Sequence, residues 1–482
     1  DLVRSRGLGD VYKRQVSALT IKANGQDSLW KIQTTDYHGT YYGATVANGG
    51  IGILPWKEPF SIRHVMLNHV FDSATPQDVS RVLRGINPFN LQMQINGQTV
   101  NGDNISRWEQ CIDMKEATHN THFTCDGKAD VSYSICALRN LPYAGLVRVE
   151  VVALGDMYLT VSNPIEIPDE YKNIGSKLVN VNVNGNDIKI VRTWALSKYR
   201  EQKVSASSAF IYDKNSSVQQ QYNGSGQISI SLKKGEKFFF TLLGAVCTGR
   251  DFIDPYNESD REVIYGAKEG LTRLMDGHRK LWNEMWKGDI VIEGDDEAQR
   301  TVRFALYNLY SNARKGSRLS IPPFGLSSQG YNGHIFWDTE FWMYPPMLFM
   351  NQGIARTMMD YRTDRLEAAC QKALSYGYDG AMFPWESDDA GEEACPTWAL
   401  TGPFEHHITA DIAIAAWNYY CMSGDQRWLR EEGFPLMEKV AEFWVSRVEK
   451  NDDGSYSIRN VVCADEYAEG DAVSYTHLTL PT

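Results

Sequence analysis

The sequence is short of positive charge, of long apolar runs and of paired cysteines, and each shortage excludes a class of protein. Lys and Arg number 48 against 60 Asp and Glu, which gives a net charge of −12. A nucleic-acid partner is therefore not expected, because binding the phosphate backbone needs clustered basic side chains. No run of about 20 apolar residues is present, so no membrane-spanning helix is predicted. The eight cysteines show no CxxC or Cys/His spacing, so neither a zinc site nor a disulfide framework is indicated.

The chain also lacks an initiating methionine, and both of its ends look foreign to the protein. Residues 1–15 and 471–482 resemble translated sequencing-adapter sequence. We therefore expect the natural chain to run from about Val16 to about Gly470 and to be cut at both sides, and we exclude the ends from the fold prediction. The segment Val16–Leu19 is typical of the end of an export signal, which favours an exported or periplasmic protein over a cytoplasmic one.

What the sequence does contain is a long β-rich part followed by a helical part. Residues 16–258 show short alternating strands, as in Val179, Val181 and Val183. The dipeptide Asn96–Gly97 supplies the positive φ angles that a tight hairpin needs. Short strands separated by turns at this spacing predict a large antiparallel β-sandwich.

Helical periodicity takes over after this part. Residues 259–293 predict a helical linker that ends in a short strand at 290–292, and residues 294–470 predict a domain of helices. Three apolar sets in this domain recur at i, i+3, i+4 and i+7, the spacing of one buried helix face. These sets are Leu366, Ala369, Cys370 and Ala373; Ile412, Ala415, Ala416 and Tyr419; and Met437, Val440, Ala441 and Trp444.

The stretch from Gly333 to Trp342, GHIFWDTEFW, is the strongest candidate for a binding site. An indole such as that of Trp337 can stack on the apolar face of a pyranose ring, while a neighbouring carboxylate such as Asp338 accepts its hydroxyl hydrogens. The alternative is an amphipathic core helix with two solvated acids. On a regular helix Asp338 and Glu340 lie about 200° apart, so both cannot face one cleft, and we choose Asp338.

Loops between the predicted helices carry the other candidates for chemistry. They contain Trp385 and Glu386, then Glu392 and Glu393, then His407 and Asp411, and finally Asp465 and Glu466. A loop that only covers the helices is the alternative for the first pair, and the second pair is expected to be solvated. The spacing of His407 and Asp411 would suit a metal, but two ligands are too few, so a structural hydrogen bond or a sugar contact is favoured.

Taken in order, these motifs resemble glycoside hydrolase family 65, which contains disaccharide phosphorylases and hydrolases. The resemblance rests on the segments Asn48–Gly52, Gly333–Glu340, Tyr361–Arg362, Gly380–Ser387, His407–Ala413 and Asp465–Tyr467. It implies an α+β multidomain fold, with an N-terminal antiparallel β-sandwich over 16–258, a helical linker over 259–293 and an (α/α)6 barrel over 294–470. Only about the first half of that barrel is expected in this chain.

The resemblance also implies an inverting mechanism on an α-glucoside such as kojibiose, nigerose, maltose or trehalose. Glu466 would be the general acid, and partial burial would raise its pKa so that it keeps its proton at neutral pH. The residues implied to contact the substrate are Trp337, Asp338, Trp385, Glu386, Asp465 and His407. No cofactor and no metal are implied, because the acid–base chemistry needs only carboxylates and water or phosphate.

Hydrolysis is preferred to phosphorolysis for two reasons. The residue before Asp465 is Ala464, where many phosphorylases have Pro, and an exported enzyme would have little use for phosphorolysis. The alternatives are a disaccharide phosphorylase that takes inorganic phosphate and yields β-glucose 1-phosphate, a glycosidase of another helical-barrel family such as the glucoamylases, and a non-catalytic carbohydrate-binding relative. The 482-residue chain by itself is expected to be inactive, because half a barrel would expose its apolar helix faces. Members of the family are often dimers, so a homodimer is a further expectation.

Overall fold

The structure is a computed structural model that describes residues 26–75, 78–183, 185–212, 217–464, 466 and 476–478. Its internal contacts divide the chain into two compact units. Unit 1 comprises residues 1–68 and 83–312, and unit 2 comprises residues 69–82 and 313–482. The expected foreign start and the expected end of an export signal lie outside the described residues, as does most of 471–482.

Unit 1 is built mainly of antiparallel strands. In chain order they are β1 Lys31–Thr34, β2 Val46–Ala47, β3 Ile51–Pro55, β4 Ile62–Ser73, β5 Ser80–Gly85, β6 Gln92–Ile95, β7 Gln98–Thr99, β8 Ile105–Asp113, β9 Thr118–Cys125, β10 Ala129–Ala137, β11 Ala144–Ala153, β12 Met157–Asn163, β13 Tyr171–Val183, β14 Asn186–Ser197, β15 Lys203–Tyr212, β16 Gln219–Tyr222, β17 Gly226–Leu232 and β18 Lys237–Thr248. Strands β4 and β5 contribute their residues 69–73 and 80–82 to unit 2.

These strands form three sheets. A nine-stranded sheet has the order β1-β8-β9-β10-β11-β18-β15-β14-β13, a five-stranded sheet has the order β16-β17-β12-β6-β7, and a four-stranded sheet has the order β2-β3-β4-β5. Along β10, the side chains of Val131, Tyr133 and Ile135 are buried and alternate with less buried ones, because successive residues of a strand point to opposite faces. The predicted antiparallel β-sandwich is confirmed.

The hairpin predicted at Asn96–Gly97 is also confirmed. It joins β6 to β7, with Ile95 paired to Gln98. Asn96 has a φ of 52° and Gly97 a φ of 78°, the two positive angles of a turn whose twist matches that of the flanking strands. The turn residues therefore determine the register of this strand pair.

Three helices follow the strands in unit 1. They are α1 Pro255–Glu269, α2 Leu271–Met285 and α3 Asp296–Asn312. The side chains of Val263 on α1 and Leu274 on α2 join a core cluster with residues of the large sheet. Tyr307 of α3 stacks on Trp282 of α2 with ring centroids 5.5 Å apart, which explains why α3 groups with this unit. The predicted domains place residues 294–312 in the barrel instead, and they stay a prediction.

The short strand predicted at 290–292 is wrong. The backbone there is irregular, and a side chain takes the hydrogen bonds that a neighbouring strand would otherwise provide. Ile292 N donates to Gln299 Oε1 at 2.6 Å, and Gln299 Nε2 donates to Ile290 O at 2.8 Å. Because Gln299 lies near the start of α3, the segment is tied to a helix and not to a sheet.

Helices dominate the described part of unit 2. They are α4 Tyr344–Met350, α5 Gln352–Thr363, α6 Leu366–Ser375, α7 Thr401–Phe404, α8 His407–Ser423, α9 Gln426–Trp428 and α10 Phe434–Arg447, followed by β19 Glu449–Lys450, β20 Tyr456–Ile458 and β21 Thr476–Leu478. The three predicted helices are α6, α8 and α10, so the expected helical region is confirmed. None of the helices in the described residues has both the length and the apolar composition that crossing a membrane requires.

The buried face of α10 differs from the predicted one. Leu436, Val440 and Phe443 are buried, whereas Ala441 is exposed. The buried set has the predicted helical period but starts one residue earlier, because Phe443 packs on Ala373 and Met382 and pulls that side of the helix inward.

Candidate active site

Two segments of unit 2 run side by side and bring predicted site residues together. Ile335 and Ser387 exchange both backbone hydrogen bonds, with N···O distances of 2.9 and 3.0 Å. The bridge places the segment that leads to Trp337 beside the segment that carries Trp385 and Glu386. Two motifs that are separate in the sequence therefore form one site.

A left-handed turn directs the first of these segments into the interior of the unit. Tyr331, Asn332 and Gly333 have φ angles of 50°, 56° and 75°. A Cβ atom on Gly333 would lie 2.5 Å from the side chain of Val82, so only glycine fits there. Residues in this conformation persist where the surrounding packing compensates for them, and they cluster at functional sites. The turn ends at His334, whose side chain is fully buried.

After this turn the segment passes through a π-helical turn over Thr339–Met343 and enters α4. Single π turns of this kind are frequent at functional sites. Glu340 points inward and forms a buried bidentate ion pair with Arg362, with N···O distances of 2.7 and 2.8 Å. Asp338 remains half-buried, and burial raises the pKa of its carboxyl. Of the two acids, Asp338 is thus the one with surface left for a ligand.

The carboxyl group of Glu386 is held in place by a histidine. Glu386 Oε2 lies 2.7 Å from Nδ1 of His334. Burial raises the pKa of Glu386, and the hydrogen bond to His334 opposes that rise. Glu386 keeps 9 % of its surface exposed, whereas His334 has none. The carboxyl group can therefore meet a ligand from a position that the buried ring determines.

The loop that carries Trp385 and Glu386 is shaped by a second acid, Glu393. Its Oε2 accepts from Trp385 N at 2.8 Å, and its Oε1 accepts from Glu386 N at 3.0 Å. Lys372 Nζ donates to the same carboxylate at 2.5 Å. The prediction that Glu393 is solvated is therefore wrong, because backbone amides and a buried lysine draw it inward. Its neighbour Glu392 is exposed, as predicted.

His407, at the start of α8, lies between two carboxylates. Its Nδ1 is 2.7 Å from Asp411 Oδ2, and its Nε2 is 2.9 Å from Glu405 Oε1. An ionised carboxylate can only accept, so with both acids ionised both ring nitrogens donate and the ring is an imidazolium. Burial alone would lower the pKa of His407, but the hydrogen bonds to Asp411 and Glu405 outweigh burial and raise the pKa to about 9.

Two indoles pack edgewise against this cation. The ring centroids of Trp337 and His407 are 4.7 Å apart, and those of Trp385 and His407 are 5.5 Å apart. Trp385 is only 2 % exposed, whereas Trp337 is half-buried and offers surface to a ligand. Both nitrogens of His407 are engaged by carboxylates, so neither presents a lone pair to a metal. Across the described ranges, no three His, Cys, Asp or Glu side chains are grouped so as to hold a metal ion.

The two acids that were predicted to lie closest to the glycosidic bond, Asp465 and Glu466, are near the C-terminal end of the sequence. Asp465 lies outside the described residues. Glu466 is described, and its side chain is exposed, so the partial burial expected for it is not found. Its role as general acid stays a prediction, as do the substrate contacts of the other predicted site residues.

Three residues hold the site together in ways that the sequence did not predict, namely His334, Glu393 and Glu405, although Glu393 was among the acids singled out. His334 lies inside the motif that was singled out, but nothing in the sequence indicates that it reaches Glu386. The sequence does contain a signal for Glu405, which precedes His407 by only two residues. Its full burial, however, is a property of the packing around it.

The chain matches two domains of one family. Residues 43–285 match the N-terminal domain of glycosyl hydrolase family 65, and residues 303–480 match the central catalytic domain of the same family.

Relatives are found along most of the chain. A kojibiose hydrolase of Flavobacterium johnsoniae is 43 % identical, over 93 % of this chain and 68 % of its own length. A kojibiose hydrolase of Mucilaginibacter mallensis is 38 % identical, over 96 % of this chain and 70 % of its own length. A kojibiose phosphorylase of Thermoanaerobacter brockii is 38 % identical over 44 % of this chain and 29 % of its own. A solved structure from the human microbiome, named as a kojibiose phosphorylase, shares the fold with a TM-score of 0.78 at 16 % identity. The match covers 93 % of this chain and 63 % of that protein.

Proposed function

The chain belongs to glycosyl hydrolase family 65, and we propose that the protein hydrolyses α-glucosidic disaccharides with inversion, kojibiose being the first substrate to test. The observation that carries the proposal is the packing of Trp337 and Trp385 on His407, with Asp338 and Glu386 next to these indoles in the sequence, in the part of the chain that matches the catalytic domain. Hydrolysis is favoured because the two relatives that match this chain by sequence over 93 % and 96 % of its length are named hydrolases, whereas the sequence of the Thermoanaerobacter brockii phosphorylase matches 44 % of it.

In the proposed mechanism, aromatic and acidic side chains hold one glucose ring. The exposed part of Trp337 stacks on the apolar face of the ring, and the carboxyl groups of Asp338 and Glu386 accept hydrogens from its hydroxyls. Glu466 gives its proton to the glycosidic oxygen, so that the second sugar leaves as a neutral alcohol. Water attacks the anomeric carbon from the opposite face of the ring while a second carboxylate, the general base of an inverting hydrolase, takes its proton, and the α-linkage is inverted to β-glucose.

His407 has a positioning role in this proposal. Its charge is balanced by Glu405 and Asp411, and its ring packs on Trp337 and Trp385 with the ring planes at 88° and 75°. An imidazolium that donates two short hydrogen bonds cannot rotate without losing one of them. The two indoles therefore pack against a ring of fixed orientation.

The test is to identify the sugar that is released. The protein expressed from its whole reading frame is incubated with kojibiose, with and without inorganic phosphate, and the anomer is read by NMR before mutarotation. Phosphate-independent release of β-glucose, abolished in Glu466→Gln and unaffected in the exposed control Glu431→Gln, supports the proposal. Strictly phosphate-dependent formation of β-glucose 1-phosphate would establish the phosphorylase alternative. Binding of kojibiose without any product would favour a carbohydrate-binding relative.

Two properties of the whole protein belong to the same proposal. A homodimer is proposed on the family resemblance, and light scattering coupled to gel filtration tests it. Export is proposed on the segment Val16–Leu19, and fractionation of the source cells, with detection of the protein in the periplasm or medium, tests that.

A further inference from the structure

A buried polar chain connects Glu386 to a residue far away in the sequence. Ser80 is the first residue of β5 and belongs to the segment 69–82 of unit 2. Its Oγ lies 3.1 Å from Nε2 of His334, whose Nδ1 lies 2.7 Å from Glu386 Oε2. Ser80 is 3 % exposed and His334 is not exposed at all, so water cannot easily replace either partner.

The hydrogen atoms along this row of hydrogen bonds can be counted. The Ser80 hydroxyl has one hydrogen, which it donates to Asp388 Oδ2 at 2.8 Å. Towards His334 the same oxygen can therefore only accept. It follows that Nε2 of His334 carries a hydrogen, which fixes the state of this nitrogen.

The contact at the other ring nitrogen then requires a further proton. If Nδ1 of His334 had only its lone pair, it would face the lone pairs of an ionised Glu386 at 2.7 Å, and the contact would be repulsive. One proton must therefore lie between the two, either on the imidazole or on the carboxyl group. In both cases a hydrogen bond holds Glu386 Oε2 at 2.7 Å from Nδ1 of the ring.

The ring itself has little freedom to turn. Phe71, which belongs to the same segment as Ser80, stacks on His334 with centroids 5.7 Å apart and an angle of 18° between the planes. Tyr361 donates to the backbone oxygen of Asp388 at 2.8 Å, and Ala390 N donates to Asp388 Oδ1 at 2.9 Å, so the carboxylate that accepts the Ser80 hydrogen is also held. The segment 69–82 thus supplies both the stacking partner and the hydrogen-bond acceptor of the ring.

We propose that Ser80 is a positioning residue for Glu386: by accepting the Nε2 hydrogen of His334, it sets the ring so that Nδ1 and one shared proton hold the Glu386 carboxyl group towards the site. The part that concerns sugar binding rests on the proposed function, whereas the proton arrangement does not.

The proton arrangement is tested by long-range 1H–15N correlation spectra of protein labelled at the histidine nitrogens, with His334 assigned by its loss in His334→Gln. In the wild type, Nε2 of His334 is expected to show the shift of a protonated nitrogen. Ser80→Ala should change the pattern of His334 and leave that of His407 unchanged, and Ser80→Thr, which keeps the hydroxyl, should restore it. A wild-type spectrum with hydrogen on Nδ1 only would overturn the proposal, and this result does not depend on the folding of a Ser80 variant. So would a folded Ser80→Ala with the wild-type spectrum.

Kojibiose kinetics of the full-length protein form the second arm. Ser80→Ala should raise KM about tenfold, as expected when one hydrogen bond that holds a binding group is lost, with kcat less affected and with recovery in Ser80→Thr. Unchanged KM despite an altered His334 spectrum would remove the link from Ser80 to binding. Absence of wild-type activity would instead count against the proposed function and would leave the spectral result standing.

Discussion

The positive charge of His407 should make the free energy of unfolding of unit 2 fall as the pH rises into the alkaline range. The pKa of His407 is raised from 6.5 to about 9, because the hydrogen bonds to Asp411 and Glu405 outweigh burial. A histidine whose pKa is higher in the folded than in the unfolded state stabilises the fold fully below pH 6.5, and this stabilisation is lost as pH rises through about 9. At about 1.4 kcal/mol for each pH unit of difference, the contribution is about 3 kcal/mol.

His407→Gln removes the titration and keeps a side chain that can donate one hydrogen bond. The free energy of unfolding is measured with urea at steps between pH 6 and pH 10, with circular dichroism as the probe of the helices. Lysines, tyrosines and cysteines titrate in the same range, so the quantity to follow is the difference between wild type and variant at each pH. That difference should shrink by about 3 kcal/mol between the ends of the range. His38→Gln, which removes an exposed histidine of unit 1, is the control.

A direct titration must agree with the unfolding data. The ring Cε1 proton of His407, assigned by its loss in His407→Gln, should titrate near pH 9 in NMR spectra. If it titrates near the usual value for histidine, the two carboxylates do not hold a proton on the ring, and the reasoning is refuted. A difference in unfolding free energy that stays constant from pH 6 to pH 10 would refute it as well.

Three further changes test the packing around the site. Glu340→Gln leaves a buried guanidinium without its counter-charge and should lower the free energy of unfolding by about 3–5 kcal/mol, whereas Arg427→Gln in an exposed ion pair should leave it nearly unchanged in the same urea titration. Gly333→Ala meets both a φ of 75° and Val82 at 2.5 Å, so it should lower the melting temperature more than Gly377→Ala, where φ is 79° but the space is open. Trp337→Ala should weaken kojibiose binding about tenfold in calorimetry, and unchanged affinity would remove this indole from the sugar site.

Local patterns in the sequence predicted the local structure well. The Asn96–Gly97 hairpin and helices α6, α8 and α10 follow from turn chemistry and from the helical period, which act within a few residues. The prediction of a strand at 290–292 was wrong because the side chain of Gln299 forms the hydrogen bonds of this backbone. A pattern of three apolar residues contains no information about those hydrogen bonds. The buried face of α10 was displaced for a similar reason, since the neighbours of Phe443 lie on other elements.

The residues of the candidate site fall into the same two groups: those that a local pattern in the sequence indicates, and those that only the tertiary fold brings into contact. Trp337, Trp385 and His407 could be named from the sequence, and the structure brings their rings together. Asp411 could also be named, because it lies four residues after His407 on the same helix, and the structure shows the hydrogen bond between them. The other residues that orient these rings could not be recognised as such, because their contacts depend on the tertiary fold. Ser80 is 254 positions away from His334, and no periodicity or motif connects residues at that distance.

The charges of the described site argue for a neutral ligand. Each cation that contacts an acid of the site is already paired: His407 with Glu405 and Asp411, Lys372 with Glu393, and Arg362 with Glu340. A phosphate ion needs donors or cations that are not already compensated by carboxylates, because desolvating a dianion is costly. Sugar hydroxyls instead need acceptors held in fixed directions, and the acids around His407 and His334 are held in that way. Within the residues that the structure describes, the electrostatics therefore suit the binding of a glucoside, and a phosphate would have to be held by residues outside this cluster.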